Sequence, residues 1–176
     1  MPVLKVLTAR MLLKAAGFPD IQIDAALVGG LATQGHWVLC TPVGDGDVDG
    51  QGSKWVRSIR RCVDDDEKRS NFLVMLVAIW RAATQQDYGA VLANSTVTPK
   101  PAHSFSYQNK KHSVLELKQG KKDRIYFFAE RLGGRACIVL LLAHHKKDQT
   151  TPKEVCNHCE QAIKNCLACA INVEIK

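Results

Sequence analysis

The residues best suited to chemistry cluster in one stretch. His144, His145, Lys146 and Lys147 close an apolar run at residues 136–143, and Lys118, Lys121, Lys122 and Arg124 fall within seven residues of one another upstream. Imidazole titrates near neutrality and transfers protons there. Crowded cations disfavour one another's protonation, which brings a lysine toward a useful pKa. Guanidinium and ammonium groups hold developing negative charge. Metal-free cleavage of an RNA phosphodiester needs all three: a proton removed from the 2′-hydroxyl, a proton given to the 5′-oxygen, and cations for the dianionic phosphorane.

Charge follows the same stretch. Between Lys110 and Lys153 stand eleven Lys or Arg and four Asp or Glu, an excess of seven. The net charge of the whole chain is also +7. The remainder is balanced, thirteen against thirteen. A domain with its excess positive charge confined to one window is a candidate polyanion surface, and nucleic acid is the commonest polyanion; a solvated basic rim is the plainer alternative.

The elements that must position these residues read as a meander. Val114–Lys118 alternates, Asp123–Ala129 is aromatic and β-branched, and Ala136–Ala143 is almost wholly apolar. Gly120 and Gly133–Gly134 break the runs where turns belong. Such short connections predict antiparallel pairing. Lys118 and Arg124 then lie on adjacent strands, with Glu116 on the face of Lys118, and Lys146 and Lys147 follow the third strand. One basic concavity across the sheet is expected.

Upstream, His36–Thr41 reads as a strand. Ser53–Arg61 reads as a short helix capped by Ser53, with Trp55, Val56 and Ile59 inward. A longer amphipathic helix opens at Asp64, with Glu67 at capping-box spacing, and runs to about Gln86; its Trp80 is expected in the core. Residues 87–112 read as a long connection. Downstream, Thr151 is the expected N-cap of a last helix, with Pro152 at N1 and Glu154 at N3, running to about Ala170. Residues 1–35 hold a short helix at Thr8–Ala16 and an apolar stretch at Ile21–Leu31, and are expected as an extension preceding a domain at 36–176.

Two metal readings compete with plainer ones. Asp45, Asp47 and Asp49 alternate as in a calcium loop, but no acid occurs between Gly50 and Asp64 to supply the closing Glu, so a solvated turn is expected. Cys156, Cys159, Cys166 and Cys169 form two C-x-x-C pairs. On one continuous helix these pairs lie roughly 15 Å apart, so a helix core face is expected in place of zinc. Seven cysteines, an odd number, suit reduced thiols in a cytoplasm better than a disulfide framework. No apolar run approaches a membrane span, and the N-terminus lacks a continuous secretory h-region.

The segments LELKQGKKDRIYFFA and IVLLLAHHKKDQTTPKEV resemble the RelE/HigB superfamily of bacterial toxins, in its branch with phage-derived members. The shared pattern is an E-L-K strand, an R-[IV]-Y-[FY] strand, an apolar strand ending in a Lys pair, and T-P opening the final helix. It covers residues 114–166. The order strand, helix, helix, meander, helix extends the likeness back to about residue 36. The resemblance implies an α+β fold, a RelE-like antiparallel sheet with two preceding helices and a C-terminal helix. It implies a toxin of a toxin–antitoxin module that cleaves mRNA on the ribosome without a metal or other cofactor. The implied partners are a cognate antitoxin, expected to be a helix-turn-helix protein, and mRNA. The implied location is the cytoplasm, with no membrane partner. Catalytic roles are expected for Lys118, Arg124, His144 and His145, and RNA phosphate binding for Lys121, Lys122, Lys146 and Lys147. A gyrase-poisoning toxin and a catalytically inert binding module of the same fold are the alternatives.

Overall fold

The computed structural model describes residues 3–28, 35–44, 46–47, 49–147, 150–170 and 174–176. Asp45 of the acidic turn and the Gly29–Gly30 pair lie outside the described residues. The element order is β1 (Val3–Val6), α1 (Ala9–Ala15), α2 (Asp20–Val28), β2 (Val38–Val43), α3 (Lys54–Cys62), α4 (Asp66–Ala83), α5 (Tyr88–Ala93), β3 (Lys100–Tyr107), β4 (Lys110–Gln119), β5 (Asp123–Leu132), β6 (Arg135–His145), α6 (Lys153–Ala168) and β7 (Glu174–Ile175). The fold is α+β, as expected.

The sheet differs from the expectation in size and in direction. It has seven strands in the order β3-β4-β5-β6-β2-β1-β7. The β3 to β6 meander is antiparallel, but β2 lies parallel to β6 and β7 parallel to β1. β2 and β6 can lie parallel because the chain leaves β2 through α3, α4 and α5 and reaches β6 only after β3, β4 and β5, a connection long enough for parallel strands. Both faces are covered. On one face, Trp55, Ile59, Phe72, Met75 and Ile79 pack on Leu117, Ile125, Phe127 and Ile138. On the other, Val155, Cys159, Ile163 and Cys166 of α6 pack on Tyr126, Phe128, Val139 and Leu141. A strand buried on both faces has no need of polar alternation, which is why β6 reads as an unbroken apolar run.

Several boundaries move. The segment expected as a long connection folds into α5, β3 and the first part of β4. Gln108 and Asn109 both adopt positive φ, 49° and 59°, between β3 and β4. This two-residue turn suits the strand twist, and it lacks the glycine that would have announced it. The long helix is capped by Asp65, whose side chain accepts from the Lys68 N–H at 2.8 Å, in place of Asp64. The last helix takes Pro152 as its N-cap residue, without a side-chain cap bond from Thr151. The Ser53 cap holds, its Oγ accepting from Val56 N at 3.2 Å. In the acidic turn, Asp47 and Asp49 accept from the N–H groups of Gly52 and Gln51. Cys159 and Cys166 are fully buried in the α6 core, and among the described residues no three His, Cys, Asp or Glu side chains gather to hold a metal. Trp80 is buried, as expected.

Residues before His36 enter the body of the protein. β1 sits between β2 and β7, and Leu7, Leu12, Ala15 and Ala16 share a core with Trp55, Phe72 and Leu39. Thr8 caps α1 through Oγ1.

Candidate active site

Register places three of the expected residues in one row. Lys118 pairs with Arg124, and Arg124 with His144. Alternation puts the neighbouring row, Glu116 and Tyr126, on the same face. Lys118 is exposed, whereas Arg124 and Lys146 are only 3% and 4% exposed. These two cations flank Glu116: Arg124 Nε lies 3.7 Å from Oε1 and Lys146 Nζ lies 3.1 Å from Oε2. Arg124 also donates to the carbonyls of Asp123 (2.8 Å) and Lys121 (3.1 Å), and the Lys146 N–H donates to Lys122 O at 2.8 Å. The pair therefore clamps the β4–β5 turn. Gly120 in that turn has φ +59°, and a Cβ there would stand 2.9 Å from Asn71 Nδ2. Lys121, Lys122 and Lys147 are exposed around the clamp.

The structure separates the two histidines. One residue along a strand reverses the side chain, so His145 leaves the row of His144. His145 donates from Nδ1 to Asp123 Oδ1 at 2.7 Å, and Asp123 Oδ2 accepts from Asn71 Nδ2 of α4 at 2.8 Å. Asp123 is 3% exposed. Cys62 lies beside this group; burial pushes its thiol up to about 11, against a hydrogen bond from the His145 backbone N–H.

His144 faces a cleft of about 440 Å³ between α3 and α6. This cleft forms where β2 parts from β6. Pairing of β2 with β6 ends at Cys40 and Val139. Beyond it, α3 lies along the free β6 edge, and Ser58 Oγ accepts from the Ala143 N–H at 2.8 Å. Trp55, Val56 and Ile59 turn α3 inward. The opposite face of α3 then presents Lys54, Arg57 and Arg61, spaced i, i+3 and i+7, to the cleft. All three are exposed, and among the described residues none of them is ion-paired. Glu154, Val155 and His158 form the α6 wall.

Burial and neighbouring charge favour the neutral form of both cleft histidines. Burial lowers the pKa of His144, and the nearby charges of Lys146, His145 and Arg124 lower it further. Burial and then Lys54 lower that of His158. His144 Nε2 is shielded from solvent and has no hydrogen-bond partner among the described residues. Two imidazoles facing three unpaired cations can bind an anion and move protons beside it. Of the residues expected at the site, the structure brings His144 to this cleft and sets Arg124 and Lys146 behind it. Lys54, Arg57, Arg61 and His158 were not expected there. A helical i, i+3, i+7 cation stripe in residues 54–61 was the signal available for three of them.

No family model, no curated protein and no solved structure matches this chain.

Proposed function

We propose that the chain is an endoribonuclease that cuts mRNA through the cleft between α3 and α6, and that it acts as the toxin of a toxin–antitoxin module of the RelE/HigB kind. The observation that carries the nuclease reading is the pairing of two histidines, His144 and His158, with the unpaired Lys54, Arg57 and Arg61 in one cleft. The toxin reading rests on the resemblance across residues 114–166 and implies a ribosome-bound mRNA substrate, a cognate antitoxin and a cytoplasmic site of action. Among the described residues no helix is long and apolar enough to cross a membrane.

In this mechanism the scissile phosphate lies against the α3 cations. His144 is the base. Burial and the neighbouring charges of Lys146 and Arg124 favour its neutral form, and its imidazole takes the proton of the 2′-hydroxyl. The 2′-oxygen forms a bond to phosphorus, and the bond from phosphorus to the 5′-oxygen breaks. His158 is the acid: the bound phosphate favours its imidazolium, which gives a proton to the leaving 5′-oxygen. The products are a 2′,3′-cyclic phosphate and a 5′-hydroxyl. Arg57 and Arg61 stabilise the dianionic phosphorane between the two steps. Arg124 and Lys146, tied to Glu116, act from behind by keeping His144 neutral, which replaces the direct phosphate contacts expected of them.

Induction of the protein in cells followed by primer extension on mRNA tests this reading. The expected result is new 5′ ends in transcripts within the first minutes of growth arrest, absent from the His144→Ala and His158→Ala proteins. Growth arrest with intact mRNA and broken DNA would move the reading to gyrase, and neither effect would move it to an inert binding module.

A further inference from the structure

The cleft does not end at His158. A groove of about 670 Å³ continues along α6, bounded on its other side by Pro42, Val43, Gly44, Asp47, Gly52 and Ser53. Lys54, Arg57 and His158 line both spaces, so the two form one channel. Its character changes along its length. The cleft is walled by cations, whereas the groove has Val43, Ala162 and Cys166 along it with Gln161 and Asn165 at its side. Gln161 Nε2 donates to Asn165 Oδ1 at 2.8 Å. That bond orients both amides and leaves Gln161 Oε1 as an acceptor beside Asn165 Nδ2 as a donor. A neighbouring donor and acceptor complement the edge of a nucleobase, and small apolar side chains suit its face.

Resting on the nuclease reading above, we propose that this groove is a base-reading subsite. It holds the nucleotide next to the scissile phosphate, with the phosphate on Arg57 and Lys54 and the base between Val43 and α6, its edge on Gln161 and Asn165. The substrate is then single-stranded, because a base paired in a helix does not offer this edge and face together. The cut carries a sequence preference at one flanking position. The occupant is set by continuity: a chain whose phosphate sits in the cleft has its next base within the groove, and the charged and apolar portions of the channel match the two portions of a nucleotide.

The test combines a cut map on cellular mRNA with affinity for a non-cleavable 2′-O-methyl heptanucleotide. Gln161 and Asn165 are exposed, so the Gln161→Ala/Asn165→Ala protein keeps its fold. Ala162→Phe fills the groove, with cooperative thermal melting as its control. The double variant is expected to lose about tenfold of the preference at the flanking position, the size expected when a bidentate base contact is removed. Ala162→Phe is expected to weaken heptanucleotide binding about tenfold. If the wild-type protein cuts mRNA and the double variant's map and affinity are unchanged, the groove assignment is overturned and the nuclease stands. If the wild-type protein cuts nothing, the nuclease reading fails. The heptanucleotide then decides the groove alone: unchanged affinity in both variants overturns it, and a loss in both keeps it as an RNA site.

Discussion

Glu116 carries more of the architecture than its spacing suggests. It is the one carboxylate within 4 Å of both Arg124 and Lys146 among the described residues, and both cations are buried. Removing one member of a buried charge cluster leaves the others uncompensated. Glu116→Gln is therefore expected to cost about 3 kcal/mol in urea denaturation, and Arg124→Ala a comparable amount. A loss below about 0.5 kcal/mol, typical of a surface pair, would count against the clamp. Arg124, expected as a catalytic cation, is in this arrangement a buried structural one. The sequence showed that Lys118 and Arg124 lie on adjacent strands, with Lys146 and Lys147 following the third, since strand periodicity and turn glycines set the meander; the pairing of Arg124 with His144 came from the register. It could not show that two of the cations are sequestered, because burial of a charge depends on where α6 lands. It also hid the α3 cations. Lys54, Arg57, Arg60 and Arg61 are followed by Asp64, Asp65, Asp66 and Glu67, so the charge tally over residues 54–67 cancels to zero. In space the two groups part. The acids serve the N-terminus of α4 with Lys68 and Arg69, while Arg57 and Arg61 face the cleft.

At the scale of elements, the first strand and helix decide whether the domain stands without them. Leu4 and Leu7 are fully buried, Leu4 in the core beneath α6 and Leu7 in the core beneath α4. Each truncation to alanine is expected to cost about 3 kcal/mol, the range for a buried leucine, read as a shift of the urea midpoint at constant slope. Wild-type stability in both variants would return residues 1–35 to the status of an appendage. The contribution of this segment was hard to read because β1 is four residues long and its partners lie far away in the sequence. β2 follows only after α1 and α2, and β7 is at the other end of the chain. Local pattern carries no record of such pairings. By contrast, the elements with local signals were legible: α3 by its Ser53 cap, α4 by its apolar stripe, and β4 to β6 by alternation and glycine turns. β3 was missed because Pro99 and Pro101 suggest a loop. Its place at the sheet edge, pairing on one side only with β4, is where proline is tolerated.

For the whole molecule, the cleft histidines link stability to pH. Both His144 and His158 titrate below their ordinary value in the folded protein. The unfolded chain takes up protons near pH 6.5, where the folded chain still resists them. Their contribution is complete above about pH 6.5 and falls as the pH drops through the folded values. The urea midpoint is thus expected to fall between pH 7.5 and pH 5.5, and the His144→Gln/His158→Gln protein to show a smaller fall. A midpoint that rises, or one equally steep in the double variant, would contradict this origin. Asp65 and Glu160, held below the usual carboxylate range by their hydrogen bonds to Lys68 and to Lys164 and His103, add their own losses only at more acidic pH.

The central claim is that this cleft cleaves RNA by moving the proton of a 2′-hydroxyl. The most direct measurement is single-turnover cleavage of an mRNA on programmed ribosomes, with the new ends identified chemically. The prediction is a 2′,3′-cyclic phosphate upstream and a 5′-hydroxyl downstream. A single 2′-deoxy nucleotide at the cut should abolish cleavage, and His144→Ala and His158→Ala should each slow it by a factor of about 10² to 10⁴, with both variants folded. Cleavage that survives the 2′-deoxy substitution, or both folded variants cutting at the wild-type rate, would contradict it.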